Sequence, residues 1–153
     1  MTVGGDNVVL RDQGPLFARK DLASILGDGL TVADWVQTLN RRVYLFTDES
    51  KMRTLLDKYL GVDGAQEVVT FSPRRVLDIC RSRIELSAQN TGAIARTSGT
   101  QKQRDTFVSI GLFPDNRPAE ITVVDGMDDL SAVAFVERHH RDGRIEKLPT
   151  PRR

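Results

Sequence analysis

The stretch LSAVAFVERHHRDGRIEKL, residues 130–148, decides how the fold is read. A run of this kind can be a helix or a strand, turn and strand. Val133 and Phe135 alternate, and the residues around them are β-branched and aromatic, which favours the strand. Asp142–Gly143 is a turn pair, so GRIEKL (143–148) is expected to fold back and pair with the segment before it. Just upstream, AEITVV (119–124) reads as another strand, ended by a turn at Asp125–Gly126.

The first half reads differently. NVVLR (7–11) has the look of a short strand, and Pro15 opens a helix whose face carries Ala18, Leu22, Ile25 and Leu26, with Gly27 and Gly29 as its stop. Thr31 with Asp34 forms a capping-box pattern ahead of Val32, Trp35, Val36 and Leu39. RVYLFT (42–47) is a strand by composition, and Asp48 is placed to cap a helix striped by Met52, Leu55, Leu56, Tyr59 and Leu60. EVVTF (67–71) is a strand, Ser72–Pro73 opens a helix to about Arg81, and RIELS (83–87) returns as a strand. Helices gather in the first half and strands in the second, so the expected class is α+β in one domain over 1–153, with a leader at 1–6 and a basic tail at 148–153.

Composition bounds the function. Apolar residues make up 39% and charged residues 28%, as in an ordinary globular protein. A formal net charge of +1 supplies no global field toward nucleic acid or an acidic membrane. No apolar run approaches the roughly 20 residues that span a bilayer, and the start MTVGGDNVV lacks the features of a signal peptide. One cysteine, Cys80, excludes an intrachain disulfide and favours a reducing, cytoplasmic setting.

Metal chemistry has little to stand on. His139 and His140 are adjacent, so on a strand they point to opposite faces, and neither has a Cys or His partner nearby. No metal is expected. Cys80 falls in line with Val76, Leu77 and Ile79 and reads as a buried structural thiol. Arg96, Lys102 and Arg104 make a basic loop, open to phosphates or simply solvated. Glu120 heads a half-buried strand, where it either faces solvent or is a carboxylate on a rigid mount. Arg11, at a strand end, is a surface residue or a phosphate fork.

VVLRDQGPL, DWVQTLNRRVYLFTDESKMRTLL, EVVTF, IELSAQNTG, RDTF and AEITVVDGMDDL occur in an order that resembles a poorly characterised bacterial family related to the DarT-type ADP-ribosyltransferases. The resemblance runs from about residue 8 to residue 140. One departure stands out: the N-terminal segment with a His-Thr pair that relatives usually carry is expected to be absent here.

The resemblance implies a split β-sandwich and a toxin- or defence-type enzyme that cleaves NAD and transfers ADP-ribose to an acceptor, nucleic acid or protein. It implies Glu120 as the catalytic carboxylate, Arg11 on the pyrophosphate, Tyr44 or Phe46 against nicotinamide, and Asn90 and Thr91 near the sugar. Two alternatives stand beside it. One is a catalytically inactive binding module on the same fold, its open edge covered by a homodimer or a partner chain. The other is a small nucleic-acid-binding protein using loop 96–104. Within SAQNTGAIARTSGTQKQRDTF (87–107), the ends are expected to be anchored and the middle slack.

Overall fold

The computed structural model describes residues 22–91, 101–114, 117–127 and 129–150, together with the backbone of 2–3 and 6–7. The class is α+β, as the order of sequence patterns indicated, with three α-helices and antiparallel sheets among the described residues. The chain divides into two compact units, Met1–Asn40 with Thr91–Arg104, and Arg41–Asn90 with Asp105–Arg153.

In the first unit, β1 (Thr2–Val3) pairs antiparallel with β2 (Asp6–Asn7). The expected strand over 7–11 is therefore described only at Asn7. Its remainder, Arg11 included, lies outside the described residues, as does the expected helix up to residue 21. The end of that helix pattern is corrected: Ala23–Ile25 is a 3-10 turn and Leu26 is already extended. The reason is competition for the backbone. The Ile25 carbonyl accepts from the amide of Lys102 at 2.7 Å, and the Gly27 amide donates to the Lys102 carbonyl at 2.9 Å, so these groups are not used for a helical ladder.

Helix α1 (Val32–Asn40) starts on the expected capping box. The Asp34 amide donates to Thr31 Oγ1 at 3.1 Å, and the Thr31 amide donates to Asp34 Oδ2 at 2.9 Å. The Thr31 hydroxyl, and after it the Thr31 amide, hold the Asp34 carboxyl below its ordinary value. Trp35 and Leu39, four residues apart, are the buried face.

The second unit holds the two larger sheets. One has the order β3 (Arg42–Leu45), β7 (Glu120–Val124), β5 (Ile84–Ser87), β6 (Val108–Ser109). The other has the order β4 (Ala65–Phe71), β8 (Val133–His140), β9 (Ile145–Leu148). The 130–148 stretch is indeed strand, turn and strand: Val136 pairs with Leu148 and His139 with Ile145, and Gly143 takes the left-handed φ of 86° that closes the turn. His139 and His140 point to opposite faces, as adjacent strand residues must.

Helix α2 (Glu49–Asp63) is capped by Asp48, whose carboxylate accepts from the amides of Ser50 at 2.9 Å and Lys51 at 3.4 Å. It ends at Gly64, left-handed at φ 79°. Of its apolar stripe only Leu56 is buried, and Leu55 stays exposed. Helix α3 (Pro73–Cys80) has Pro at its first turn, but the Ser72 side chain makes no capping bond. Ser72 instead ties the helix to the chain ahead of β8, its amide donating to the Ala132 carbonyl at 2.8 Å.

Parity organises the four-stranded sheet. Val123 pairs with Ile84 and Val43, and Ile121 pairs with Leu86 and Leu45, so these side chains share one face. Val76 and Cys80 of α3 pack on that face with Ile84, Leu86, Val123 and Ala132 to form the core. Cys80 is 1% exposed, the buried thiol that its position predicted.

Candidate functional site

The opposite face of the same sheet is polar. Register places Glu120 across from Ser87, Thr122 across from both Glu85 and Tyr44, and Val124 across from Arg42. These residues form three rows running across the strands. The first row contains Glu120 and Ser87; on the other side of β7 the pairing stops at Leu45 with Ile121, and Phe46 follows in the chain. The second row is Tyr44, Thr122, Glu85 and Ser109. The third is Arg42 and Val124.

Backbone and hydroxyl bonds hold these rows. The Ala119 amide donates to the Ser87 carbonyl at 2.8 Å, fixing the entry of β7 against the exit of β5. Ser87 Oγ donates to the Gln89 carbonyl at 2.9 Å and accepts from the Gln89 amide at 3.2 Å, which turns the chain as it leaves the sheet. The Thr122 hydroxyl, fully buried, donates to the Glu85 carbonyl at 3.0 Å. Buried hydroxyls with satisfied bonds make a rigid polar floor rather than a loose one.

An ion pair crosses that floor. Arg42 on β3 reaches over the intervening β7 to Glu85 on β5, donating from Nε at 3.2 Å and from Nη2 to the same oxygen. Their side chains are only 11% and 26% exposed. The guanidinium carbon lies 4.1 Å from the centroid of the Phe107 ring, and Phe107 meets Tyr44 edge-on with centroids 6.5 Å apart.

The structure brings together four of the residues singled out from sequence. Glu120, half-buried, begins the central strand β7; Tyr44 lies near the end of β3 and Phe46 directly follows that strand; Asn90, exposed, follows the end of β5. Antiparallel pairing puts the start of β7 at the same sheet end as the finishes of β3 and β5, so all four share that end. The two rings differ in situation. Tyr44 is engaged with Phe107, whereas Phe46, beyond the strand, is 53% exposed. Thr91 is buried and belongs to the first unit.

The basic-loop expectation needs correction at Lys102. It is 4% exposed, with its backbone bridged to Leu26, so it is not a cation offered by a slack loop. The Arg104 amide donates to Asp28 at 3.2 Å, a second tie between the same two segments. Residues 92–100, Arg96 included, lie outside the described residues. No three His, Cys, Asp or Glu side chains converge as a metal-binding group among the described residues. No helix there is long and apolar enough to cross a membrane.

Arg42 and Glu85 escaped the sequence reading. Their signal was present in RVYL and IELS, where a charged residue alternates with apolar ones in each strand. That alternation marks a polar sheet face but does not name a partner two strands away.

Residues 2–134 match the model of a family described as Family of unknown function (DUF7002). The chain belongs to that family. The DUF7002 match takes in β3, β7 and β5 whole, and with them Glu120, Tyr44, Phe46, Asn90, Arg42, Glu85 and Phe107. No curated protein and no solved structure matches the chain.

Proposed function

We propose that this chain is a cytoplasmic ADP-ribosyltransferase-like domain of toxin or defence type, taking NAD as substrate and requiring no metal. The observation that carries the reading is the placement of Glu120. It heads the central strand of a sheet whose polar face also bears Ser87 and Thr122, with an exposed aromatic ring, Phe46, just past the end of the neighbouring β3.

In this reading NAD loses nicotinamide at C1′ of its ribose. The glycosidic C–N bond breaks with its electron pair leaving on nicotinamide, and an acceptor nucleophile bonds to C1′ and gives up a proton. The sugar passes through a cationic, oxocarbenium-like transition state. A carboxylate on a rigid strand stabilises that cation where it develops, and a hydrogen bond from a ribose hydroxyl to Glu120 would orient the sugar. Tyr44 or Phe46 flanks the nicotinamide ring, and Asn90 is assigned a polar contact near the sugar. The acceptor is a nucleic acid or a protein, and a homodimer or partner chain completes an open sheet edge.

The test is thermal stability with NAD and with ADP-ribose, followed by turnover of labelled NAD. Saturating NAD at a hundred times its Kd stabilises a folded protein by about 2.7 kcal/mol. Glu120→Gln is expected to abolish turnover while melting like the unaltered protein. Absence of both stabilisation and NAD consumption would leave a non-catalytic binding module on this fold.

A further inference from the structure

We propose that Arg42 and Phe107 are the positioning residues of the Glu120 site, forming its back wall through Glu85 and Tyr44. This rests on the reading of Glu120 as the working carboxylate. It adds how the site is bounded and what holds its aromatic ring.

The rows of the polar face define a direction. Glu120 and Ser87 occupy the row at the strand ends, Tyr44, Thr122 and Glu85 the next, and Arg42 the one behind. The Arg42–Glu85 pair spans β3 to β5 across β7, directly over the buried Thr122 row. Phe107 is 8% exposed and lies on the guanidinium, with its ring at 65° to that of Tyr44. A planar guanidinium fixed by a carboxylate is a rigid shelf for a ring, which a lysine ammonium on a flexible stem is not. The strap thus covers the polar face behind Tyr44, and Glu120 lies one row beyond Tyr44 at the strand ends.

Stability alone gives a poor reason for this pair. A largely buried ion pair recovers its desolvation cost only with good geometry, and apolar residues of similar volume often do as well or better. The neighbouring face shows that the same strands accept an apolar solution, with Val43, Leu45, Ile121 and Val123 in the equivalent alternate positions. A charged strap on the side that carries Glu120 therefore points to positioning. Arg42 and Phe107 act through Tyr44 and need not touch the substrate.

The chain has only two tyrosines, Tyr44 and Tyr59, so 3-fluorotyrosine labelling gives two fluorine signals, assigned with Tyr59→Phe. The full chain is compared as Arg42→Met, Arg42→Lys and Phe107→Leu, each checked for cooperative melting. The Tyr44 signal is expected to move toward that of free fluorotyrosine in Arg42→Met and Phe107→Leu. Arg42→Lys, keeping charge without the planar shelf, should fall on the perturbed side. For NAD, kcat/KM should drop about tenfold in the perturbed pair, as misplacement of a bounding group predicts. Binding of ADP-ribose, which lacks the nicotinamide ring, should be unchanged within about twofold. An unmoved Tyr44 signal in both folded variants overturns the proposal, as does equal weakening of NAD and ADP-ribose. If the unaltered protein turns over no NAD, the enzymatic reading fails on its own, and the fluorine signal alone still decides whether the strap holds Tyr44.

Discussion

Ser87 and Glu120 face each other across β5 and β7, and the Ala119 amide, donating to the Ser87 carbonyl at 2.8 Å, closes the pair from the side. The carboxylate is thus carried on backbone held by β5. Rigid mounting makes reach matter as much as charge. Glu120→Asp keeps the carboxylate and withdraws it by one methylene, a displacement on the order of 1 Å or more that is expected to cost roughly a hundredfold in NAD turnover. Single-turnover kinetics beside Glu120→Gln check this; an aspartate variant as active as the original would show that the carboxylate is not positioned for the sugar.

Acid sensitivity should come from surface carboxylates. Asp48 is held below its ordinary value first by the Ser50 hydroxyl, then by the amides of Ser50 and Lys51, and Asp125 first by its bond to Arg41. A carboxyl depressed in the folded state contributes stability that is complete above its unfolded value and is lost as pH falls through the folded one. Urea unfolding midpoints should therefore decline below the ordinary value of 3.8 and hold steady between pH 5 and neutrality. Asp48→Asn, which still caps but does not titrate, should shallow that decline while changing little at neutral pH.

Cys80 should react only when the fold opens. With the residue 1% exposed and packed among Val76, Ile84 and Val123, a thiol reagent in native buffer should label it at the rate of opening. Labelling in proportion to reagent concentration, at the speed of a free thiol, would contradict the packing.

Gly143 should tolerate no side chain without strain. A Cβ there would meet nothing within 4 Å, so any cost comes from the left-handed φ of 86°. Gly143→Ala is expected to destabilise by about 1–2 kcal/mol, read from denaturant midpoints. Gly143→Asn, better suited to that conformation, should lose less.

Much of this was legible in the residues. The β8–β9 hairpin followed from alternation and a turn pair, and the caps at Thr31 and Asp48 from side chains whose bonds are local. Local chemistry is what a linear reading captures. The failures are all long-range. Leu22, Ile25 and Leu26 have helical spacing, yet Lys102, more than seventy residues away, takes the Ile25 carbonyl. Ser72 does sit at the N-cap with Pro73 after it, and only the side-chain capping bond is missing. At the site, Glu120 stood out as a charge ahead of an apolar run, while Arg42 and Glu85 acquire meaning only once β7 is inserted between β3 and β5.

That insertion gives β7 a division of labour by odd and even number. Ile121 and Val123 answer to the core beneath α3, and Glu120 and Thr122 to the polar side. Substitutions at one set can drift without disturbing the other, separated by the thickness of one strand. The same arrangement is intolerant of slippage. A shift of a single residue between β5 and β7 would bury the carboxylate in the core and turn Ile121 toward the polar side. The short bond from Ala119 to Ser87 guards the frame in which the whole strand is read.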